Sequence, residues 1–481
     1  MVALARHGVM AAGVLAAMLV IAALAGLAER GTAPLVFLFS ALLTVFFAVA
    51  VHFGTRSRPG KLDRAGALTL LALMWLGIPT LAALPIAATT SLGAVGSWFE
   101  AVSALTTTGA SQVHEAELPR ATLVWLLSLQ WFGGLLSLVG YIAVLAPSGA
   151  GGLPNHAAGL AEFGQGEGAG IEGTVQQVLP IYAAATVLCM VILFALGLKG
   201  FEAFGLASAA VSTGGLLPDN DGMAAYGDPA VKFVMIVFML VGGTSILWHR
   251  MLLTRRFRQA FSQHENLLVL GLSAAVGIYA AAAWFRTPLG GESLPIAIED
   301  GLFTAVSLVT TTGIEPHAGA FNTLPVTLVM MLVFIGGATF STSGGIKMYR
   351  ASAMVLQSLR ELHRLIHPHA VRPSRLGRQS ISLEGMKAIW LCFAVTCIVF
   401  VIIGAAIAPA MPSFEAAYVG ALAALTNTGP VYLAGWNATA IWPEWDMLPD
   451  YARIILAFAM ILGRLEILVV LGLVHFVFWR H

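Results

Sequence analysis

Four segments rich in threonine and glycine recur along the chain, and their oxygen atoms could bind a cation. Residues 99–109 and 303–313 are identical at eight of eleven positions, and residues 208–215 and 425–430 end in related threonine–glycine sequences. Carbonyl and hydroxyl oxygens can replace the water shell of a cation, and uncharged ligands suit a monovalent ion that must also leave. The residues predicted to line this site are Thr107, Thr108, Gly109, Ser212, Thr213, Gly214, Thr311, Thr312, Gly313, Asn427, Thr428 and Gly429.

The residue types around each segment indicate how such a site could form. A glycine permits the positive φ angle that lets neighbouring carbonyls face the same way. The apolar stretch before each segment predicts a short helix, whose C-terminal end carries partial negative charge and therefore attracts a cation. A single copy could equally be a helix that ends in a glycine cap, but four copies favour one shared site.

The composition places these segments in a membrane protein. Of 481 residues, 58% are hydrophobic and only 10% are charged, with a mean hydropathy of +0.86. A soluble domain carries about 25% charged residues, so this chain cannot cover itself with a water-compatible surface. The balance of 25 basic and 24 acidic residues argues against a nucleic-acid-binding chain. The cysteines lie in apolar runs and are interpreted as packing residues: Cys189, Cys392 and Cys397.

Ten apolar runs are long enough to cross a bilayer, which takes about 20 apolar residues. They cover residues 9–28, 34–53, 66–88, 121–146, 174–198, 229–248, 265–286, 324–346, 386–410 and 451–478. Basic residues follow the second, sixth and eighth runs, so these loops and both termini are predicted to be cytoplasmic. The loop 147–173 carries no Lys or Arg. The first run is predicted to be a retained span rather than a cleaved signal peptide.

The four segments lie between successive pairs of spans and divide the chain into repeats. Each is too short to cross, and non-helical backbone at membrane depth must line a cavity or be buried in protein. We therefore predict an all-α polytopic membrane protein in which four repeats of span, pore helix, filter loop and span surround one central pore. The predicted boundaries are 1–65 for two leading helices, 66–150, 151–260, 261–350 and 386–481 for the repeats, and 351–385 for a basic cytoplasmic loop.

A cluster of glycine and hydroxyl residues interrupts the eighth apolar run. Such residues are poor helix formers, so residues 336–345 predict an unwound gate segment below the filter. A close-packed crossing of two helices is the alternative. The side chain of Phe340 could plug the pore or face lipid. The residues predicted to form the gate are Gly336, Gly337, Phe340, Ser341, Gly344, Gly345 and Arg464.

Arg464 is a charged residue inside the last apolar run. Such a charge is costly in a membrane unless it is paired, so it indicates a functional role. Glu466 is two residues away and points to a different side of a helix. We therefore predict that Arg464 contacts the backbone of the gate segment and affects gating.

Two other classes of function are open to a chain of this kind. A sodium- or proton-coupled cation carrier of the same fold would place Asp, Glu or His within its spans, and the spans hold almost none beyond Glu466. A membrane-embedded hydrolase would need a nucleophile and a base at membrane depth, and no such pair stands out. The chain is therefore predicted not to be an enzyme. His363, His367 and His369 are interpreted as a solvated surface rather than a metal site.

From about residue 66 to its end, the chain resembles the Trk/Ktr/HKT superfamily of potassium transporters. The resemblance rests on the four filter segments and on three motifs, which are residues 130–134, 336–347 and 462–466. The two leading spans resemble those of Trk membrane subunits. Leu136 and Phe340 depart from the family pattern, which has a glycine at the first position and usually a small residue at the second.

The resemblance implies the ion, the membrane and the partners. Glycine at position 109 and at the other filter positions implies selection of potassium over sodium. Potassium is then the substrate, taken up across the bacterial cytoplasmic (inner) membrane, and the chain itself needs no cofactor. The resemblance also implies a homodimer and a separate cytoplasmic regulatory ring that carries the nucleotide-binding site. The basic segment 350–378 is a predicted contact for that ring or for anionic lipid headgroups.

Overall fold

The computed structural model describes residues 2–29, 31–55, 64–113, 118–153, 170–219, 222–286, 293–367, 375–376, 379–434, 436 and 442–467. Most of these residues are helical. The helices are α1 (Val2–Ala25), α2 (Ala33–Thr55), α3 (Arg64–Thr89), α4 (Ala94–Leu105), α5 (Arg120–Gly140), α6 (Ile171–Ala195), α7 (Gly200–Ser212), α8 (Pro229–Gly243), α9 (Ile246–Leu253), α10 (His264–Phe285), α11 (Leu294–Val309), α12 (Val326–Ile335), α13 (Met348–Ile366), α14 (Leu383–Ile407), α15 (Phe414–Leu425) and α16 (Asp450–Leu465).

Short turns and one small β-ladder connect these helices. The turns are Tyr141–Leu145, which is π-helical, Ala146–Ser148, Ala150–Gly152, Gly222–Ala225, Phe257–Ala260, Ala320–Thr323, Ala408–Ala410, Gly429–Leu433 and Trp445–Met447. Strand β1 (Arg375–Leu376) pairs antiparallel with β2 (Gln379–Ser380) inside the predicted basic loop. Apart from this ladder, the described chain agrees with the predicted all-α class.

The long apolar helices differ in how much of their surface other helices cover. Within the described residues, α1, α2, α3, α5, α6, α10 and α14 are long and apolar enough to cross a membrane. In α5 and its π-helical continuation, 94% of the most apolar stretch is buried, against 22–39% in the other six. Helix α5 therefore lies inside the protein, whereas the others present apolar sides to lipid.

Three predicted spans differ from straight membrane helices. Helix α8 ends at Gly243, and the chain bends by 104° into α9. The amide of Ser245 at this bend donates to Asn266 Oδ1 at 2.9 Å, so the turn is satisfied by a side chain of α10. Helix α12 has only ten residues and gives way to irregular backbone at Gly336. Helix α16 ends at Leu465, and residues 468–478 of the predicted tenth span lie outside the described residues.

Twelve of the helices form four repeats of the predicted kind. They are α3–α4–α5, α6–α7–α8, α10–α11–α12 and α14–α15–α16, with the short helices α4, α7, α11 and α15 as the pore helices. The alanine-rich faces of α7 and α15 are buried, which allows close approach of their neighbours. Helix α13 leaves the third repeat at Met348 and runs to Ile366, across the predicted boundary at residue 350.

The two leading helices pack on the first repeat. Helix α1 contacts both α2 and α5. The rings of Phe37 in α2 and Trp125 in α5 meet edge to face with centroids 6.2 Å apart. The indole of Trp125 also donates to the carbonyl of Ala82 in α3 at 3.2 Å. The leading helices are thus attached to the outer side of the pore-forming part.

Candidate functional site

All four pore helices end in the same way. A hydroxyl group at the helix end donates to the carbonyl four residues earlier, and in three of the four repeats that carbonyl also accepts the backbone amide of the same residue. The hydroxyls belong to Thr106 (2.7 Å), Ser212 (2.6 Å), Thr310 (2.7 Å) and Thr426 (2.8 Å). The helical end is therefore one structural position that is present four times.

The next residue of each repeat turns the chain out of the helix. Thr107, Thr213, Thr311 and Asn427 have φ angles of 54°, 50°, 58° and 55°. These angles lie in the left-handed region, which side chains other than glycine seldom adopt. The amide after each of them donates to the carbonyl five residues back, at 2.8–2.9 Å. The four filter loops thus begin with one shared turn.

This turn corrects the predicted register of the second repeat. Thr213, Gly214 and Gly215 occupy the places that Thr107, Thr108 and Gly109 hold in the first repeat. The prediction of Ser212, Thr213 and Gly214 was therefore wrong by one residue. Ser212 is the last residue of the pore helix, and its hydroxyl is bonded to the helix itself.

A serine in the middle of the pore helix suggested the wrong register. Ser103 and Ser307 lie six residues before the filter glycine, and each bonds to its own filter loop at 2.7 Å. Ser208 lies six residues before Gly214, but its hydroxyl donates to the carbonyl of Leu127 in α5 at 2.9 Å. The same residue type at the same spacing thus has a different partner, which only the packing of α5 against α7 reveals.

The filter glycines lie close together because no side chain separates them. A Cβ on Gly109 would lie 2.5 Å from the Cα of Gly215, and one on Gly429 would lie 2.6 Å from the amide nitrogen of Ala110. The amide of Gly429 donates to the carbonyl of Thr108 at 2.7 Å, which joins the first and fourth repeats. The four loops therefore converge on one small region.

Glycines also let the second helix of three repeats touch the pore-helix end. A Cβ on Gly133 would overlap the carbonyl oxygen of Leu105, and one on Gly463 would overlap that of Leu425. In the second repeat a Cβ on Gly242 would lie 2.7 Å from the carbonyl oxygen of Val211. These contacts obey the corrected register, since all three carbonyls belong to the second residue before the left-handed turn.

A cavity of about 380 Å³ opens above the filter glycines on the side of the acidic loops. Its lining includes Asp219, Glu315 and Glu444. The carboxylate of Glu315 accepts the amides of Gly319 and Phe321 at 3.1 and 2.8 Å. Burial raises the pKa of Glu315 to about 7. The mouth of the filter is thus acidic, and its charge changes near neutral pH.

The gate segment lies against the opposite end of the filter. Thr342 is within hydrogen-bonding distance of Thr213, with 3.1 Å between their hydroxyl oxygens. The amide of Gly344 donates to the hydroxyl of Thr311 at 2.6 Å, and a Cβ on Gly344 would overlap the carbonyl oxygen of Thr426. One segment therefore touches the second, third and fourth repeats at the start of their filter loops.

Arg464 connects the gate segment to the first repeat. Its side chain is buried, with 1% exposed. The guanidinium donates to the carbonyl of Thr106 at 2.7 Å, to that of Thr342 at 2.5 Å and to the hydroxyl of Thr107. The predicted contact with the gate backbone is present, while the two contacts with the filter were not predicted. Five donors in a fixed fork suit arginine to such a junction.

The remaining gate predictions concern Phe340 and the backbone. Phe340 is 4% exposed and belongs to the hydrophobic core, which excludes the alternative that its side chain faces lipid. The predicted unwinding is present, because α12 ends at Ile335 and no helix begins before Met348. Predicted gate residues Gly336, Gly337, Ser341, Gly344 and Gly345 all lie in this irregular stretch.

Comparisons with known proteins agree with this architecture. A family model described as TrkH, cation transport protein, matches residues 71–477. The chain belongs to this cation transport family. It is 30% identical over 452 residues to the Trk system potassium uptake protein TrkH of Escherichia coli strain K12, covering 91% of each chain. It is also 30% identical over 423 residues to the Trk system potassium uptake protein TrkI of Halomonas elongata, covering 85% of this chain and 83% of that one.

A solved structure of the same family superposes on the whole chain. The crystal structure of the potassium transporter TrkH from Vibrio parahaemolyticus aligns with a TM-score of 0.86 at 26% identity, covering 100% of this chain and 99% of that one. Membership of this family makes the chain a multi-pass membrane transport protein and not an enzyme. The cation is its substrate.

Two buried basic residues near the gate were not predicted as part of it. Lys347 is 1% exposed; its ammonium donates to the carbonyl of Ser343 and lies 4.7 Å from the centroid of the Tyr141 ring. Arg350 is 2% exposed and forms an ion pair with Glu466 at 2.6 Å. Lys347 is the last residue of the motif 336–347, and this position is the feature of the sequence that could have indicated its role at the gate. Arg350 was counted in the basic segment 350–378 because further basic residues follow it.

Proposed function

We propose that this chain conducts potassium into the cell through the four filter loops and that the gate segment closes this path from below. The observation that carries the proposal is the fourfold turn at the end of the pore helices, with the gate segment against it. The relatives are named potassium uptake proteins. Potassium itself is thus proposed from those names together with the oxygen-rich loops.

The proposed ion ligands are the carbonyl and hydroxyl oxygens of the filter loops. With the corrected register they belong to Thr107, Thr108, Gly109, Thr213, Gly214, Gly215, Thr311, Thr312, Gly313, Asn427, Thr428 and Gly429. Carbonyl oxygens replace the water shell of a dehydrated cation, while glycine keeps the path narrow. In this proposal Gly109 maintains the preference for potassium, because a side chain there would push against Gly215.

The proposed closed state depends on the gate segment and Arg464. The segment occupies the inner end of the filter, and the positive charge of Arg464 opposes a cation at that place. Opening requires the segment to move away, which breaks the bonds from Thr342 and Gly344 to the filter.

We further propose the environment and partners of the chain. The Trk system names of the relatives describe proteins that belong to a system. We propose that a cytoplasmic nucleotide-binding ring regulates the gate and that two copies of the chain form a homodimer in the inner membrane. Both termini are proposed to be cytoplasmic, because the basic loops fall on that side.

The test is cation uptake by a potassium-uptake-deficient bacterial strain that expresses this chain. Uptake of rubidium and potassium in preference to sodium is expected. Gly109→Ser is expected to lower the potassium-to-sodium ratio about tenfold, because the added side chain must widen the filter. Gly197→Ala is the control, since Gly197 also has a positive φ angle but no neighbour within 4 Å. If the unmodified chain takes up sodium but neither potassium nor rubidium, the proposal is contradicted.

A further inference from the structure

We propose that Arg350 is the positioning residue that holds the gate segment closed from the cytoplasmic side. This inference rests on the proposed function and concerns the regulation of the same pore. Arg350 forms, with Glu466 and Gly151, a buried contact that we call the inner clamp. The clamp joins the chain just after the gate segment to the end of α16 and to the turn after α5.

Each side of the guanidinium of Arg350 has a different partner. Its Nη2 donates to Glu466 Oε2 at 2.6 Å, and its Nε donates to the carbonyl of Gly151 at 2.8 Å. Its Nη1 donates to the carbonyl of Ile346 at 3.2 Å, which lies directly after the gate segment. Both side chains of the ion pair are nearly out of contact with solvent, at 3% and 5% exposed. The pair therefore fixes three elements at one point.

The backbone at the clamp is built around these side chains. Glu466 has a φ angle of 58° although it is not glycine, and it stands where α16 ends. Gly151 has the same φ angle of 58°, and a Cβ there would lie 2.6 Å from the Nη2 of Arg350 and 3.1 Å from Glu466 Oε2. A left-handed glycine is thus needed at position 151 for the turn to approach the ion pair.

A second cation connects the gate to the same part of the first repeat. The ammonium of Lys347 lies over the ring of Tyr141, at the start of the π-helical turn after α5. Arg350 reaches Gly151 at the end of the same stretch. The gate segment is therefore attached to the filter by its own hydrogen bonds and by Arg464, and its cytoplasmic end is held by Lys347 and Arg350.

Through these contacts, a movement of residues 141–153 is transmitted to the gate segment. A force from the cytoplasmic side that displaces this stretch must first break the bond from Arg350 to Gly151. Without this bond the side chain of Arg350 is no longer held beside Glu466. The ion pair then weakens, and the chain directly after the gate segment becomes free to move. A partner that moved residues 141–153 would thereby open the pore without touching the gate segment.

The experiment measures rubidium flux through the purified chain alone in liposomes. Arg350→Gln and Glu466→Gln are each expected to raise basal flux about tenfold, and the double variant should raise it no further, because both changes break one contact. Arg364→Gln is the matched control: it lies on the same helix, but its ion pair with Glu361 is half exposed.

Gly151→Ala provides a variant that removes no charge and so tests the clamp in a protein with the same buried ions. It should also raise basal flux, whereas Gly197→Ala, a left-handed glycine with no neighbour within 4 Å, should not. Folding is checked by the elution profile and the thermal midpoint of each variant.

The outcomes separate this inference from the proposed function. If wild type takes up rubidium in cells and the folded clamp variants keep wild-type basal flux or lose flux, the role of Arg350 is overturned and the proposed function stands. If wild type takes up no rubidium or potassium, both are overturned. Raised flux in the clamp variants with unchanged controls supports the clamp.

Discussion

The filter is built four times, whereas the gate is built once. Each filter loop begins with a hydroxyl-capped helix end and a left-handed residue, and each offers uncharged oxygens. Within the described residues, the gate segment occurs only in the third repeat, where it lies beside the cations Arg464, Lys347 and Arg350. Four equivalent loops can surround an ion with oxygen ligands on all sides, whereas one segment is sufficient to block the path below them.

The largest effect on potassium uptake is expected where a glycine of the second helix touches the end of a pore helix, because this contact occurs in three repeats. Gly133→Ala, Gly242→Ala and Gly463→Ala should each lower potassium uptake more than tenfold, because each Cβ would meet a pore-helix carbonyl. Overpacking of this kind costs about 1–3 kcal/mol. Uptake assays and thermal unfolding would measure the loss. Gly271→Ala is the control, since Gly271 lies in α10 with open space around it.

Unequal results among these glycines would break the proposed equivalence of the repeats. A wild-type uptake rate in Gly242→Ala, together with strong loss in Gly133→Ala, would mean that the second repeat does not share the geometry of the first. That outcome would also count against the corrected register, which places Val211 and Leu105 at one position.

A smaller effect is expected at the unrepeated Arg464. Arg464→Ala removes donors to both the gate and the filter, so basal flux should rise about tenfold, as expected if about 1.4 kcal/mol of closed-state stability is lost. Arg464→Lys keeps the charge but cannot form the same fork of hydrogen bonds. Single-channel recording would measure open probability.

The lysine variant sharpens this prediction. An intermediate open probability in Arg464→Lys would show that hydrogen bonds and charge both contribute. Wild-type open probability in Arg464→Ala would contradict the role of this residue in closing the pore.

The smallest expected effect concerns the mouth of the filter. Because the pKa of Glu315 is raised to about 7, its carboxyl is neutral below this pH and charged above it. Raising the external pH from about 6 to about 8 adds negative charge at the cavity, so uptake at low potassium should increase about twofold. Asp219, Glu444 and His317 share this cavity.

Glu315→Gln isolates the contribution of this carboxyl from that of its neighbours. The variant should lose part of the pH dependence and should do so most clearly at low ionic strength, where screening is weak. An identical pH profile in wild type and variant would remove Glu315 from the explanation.

Local patterns in the sequence predicted most of the fold and part of the site. Apolar runs predicted the membrane helices, because the bilayer fixes their length, and the recurring threonine–glycine pattern predicted the four filter loops. The cluster of glycines predicted the unwound stretch at 336–345, because its residues are poor helix formers. Arg464 was found because a charge in an apolar run needs a partner.

Other features depended on partners that are distant in the chain. The bend after Gly243 is fixed by Asn266, and the register of the second repeat depends on how α5 packs against α7. Arg350 looked like one more basic residue of a cytoplasmic loop, although it is buried against Glu466.

The sequence by itself thus determined a membrane protein with four oxygen-rich loops and one interrupted membrane helix at residues 336–345. These features follow from apolar length and helix propensity, which are local properties of the chain. Only the tertiary structure decided which oxygen, amide or carboxylate each polar group meets. Arg350 bonds to Gly151, 199 residues away, and to Glu466, 116 residues away. Such partners are selected by the packing of whole repeats, because a buried polar group must find a bonding partner wherever the fold provides one.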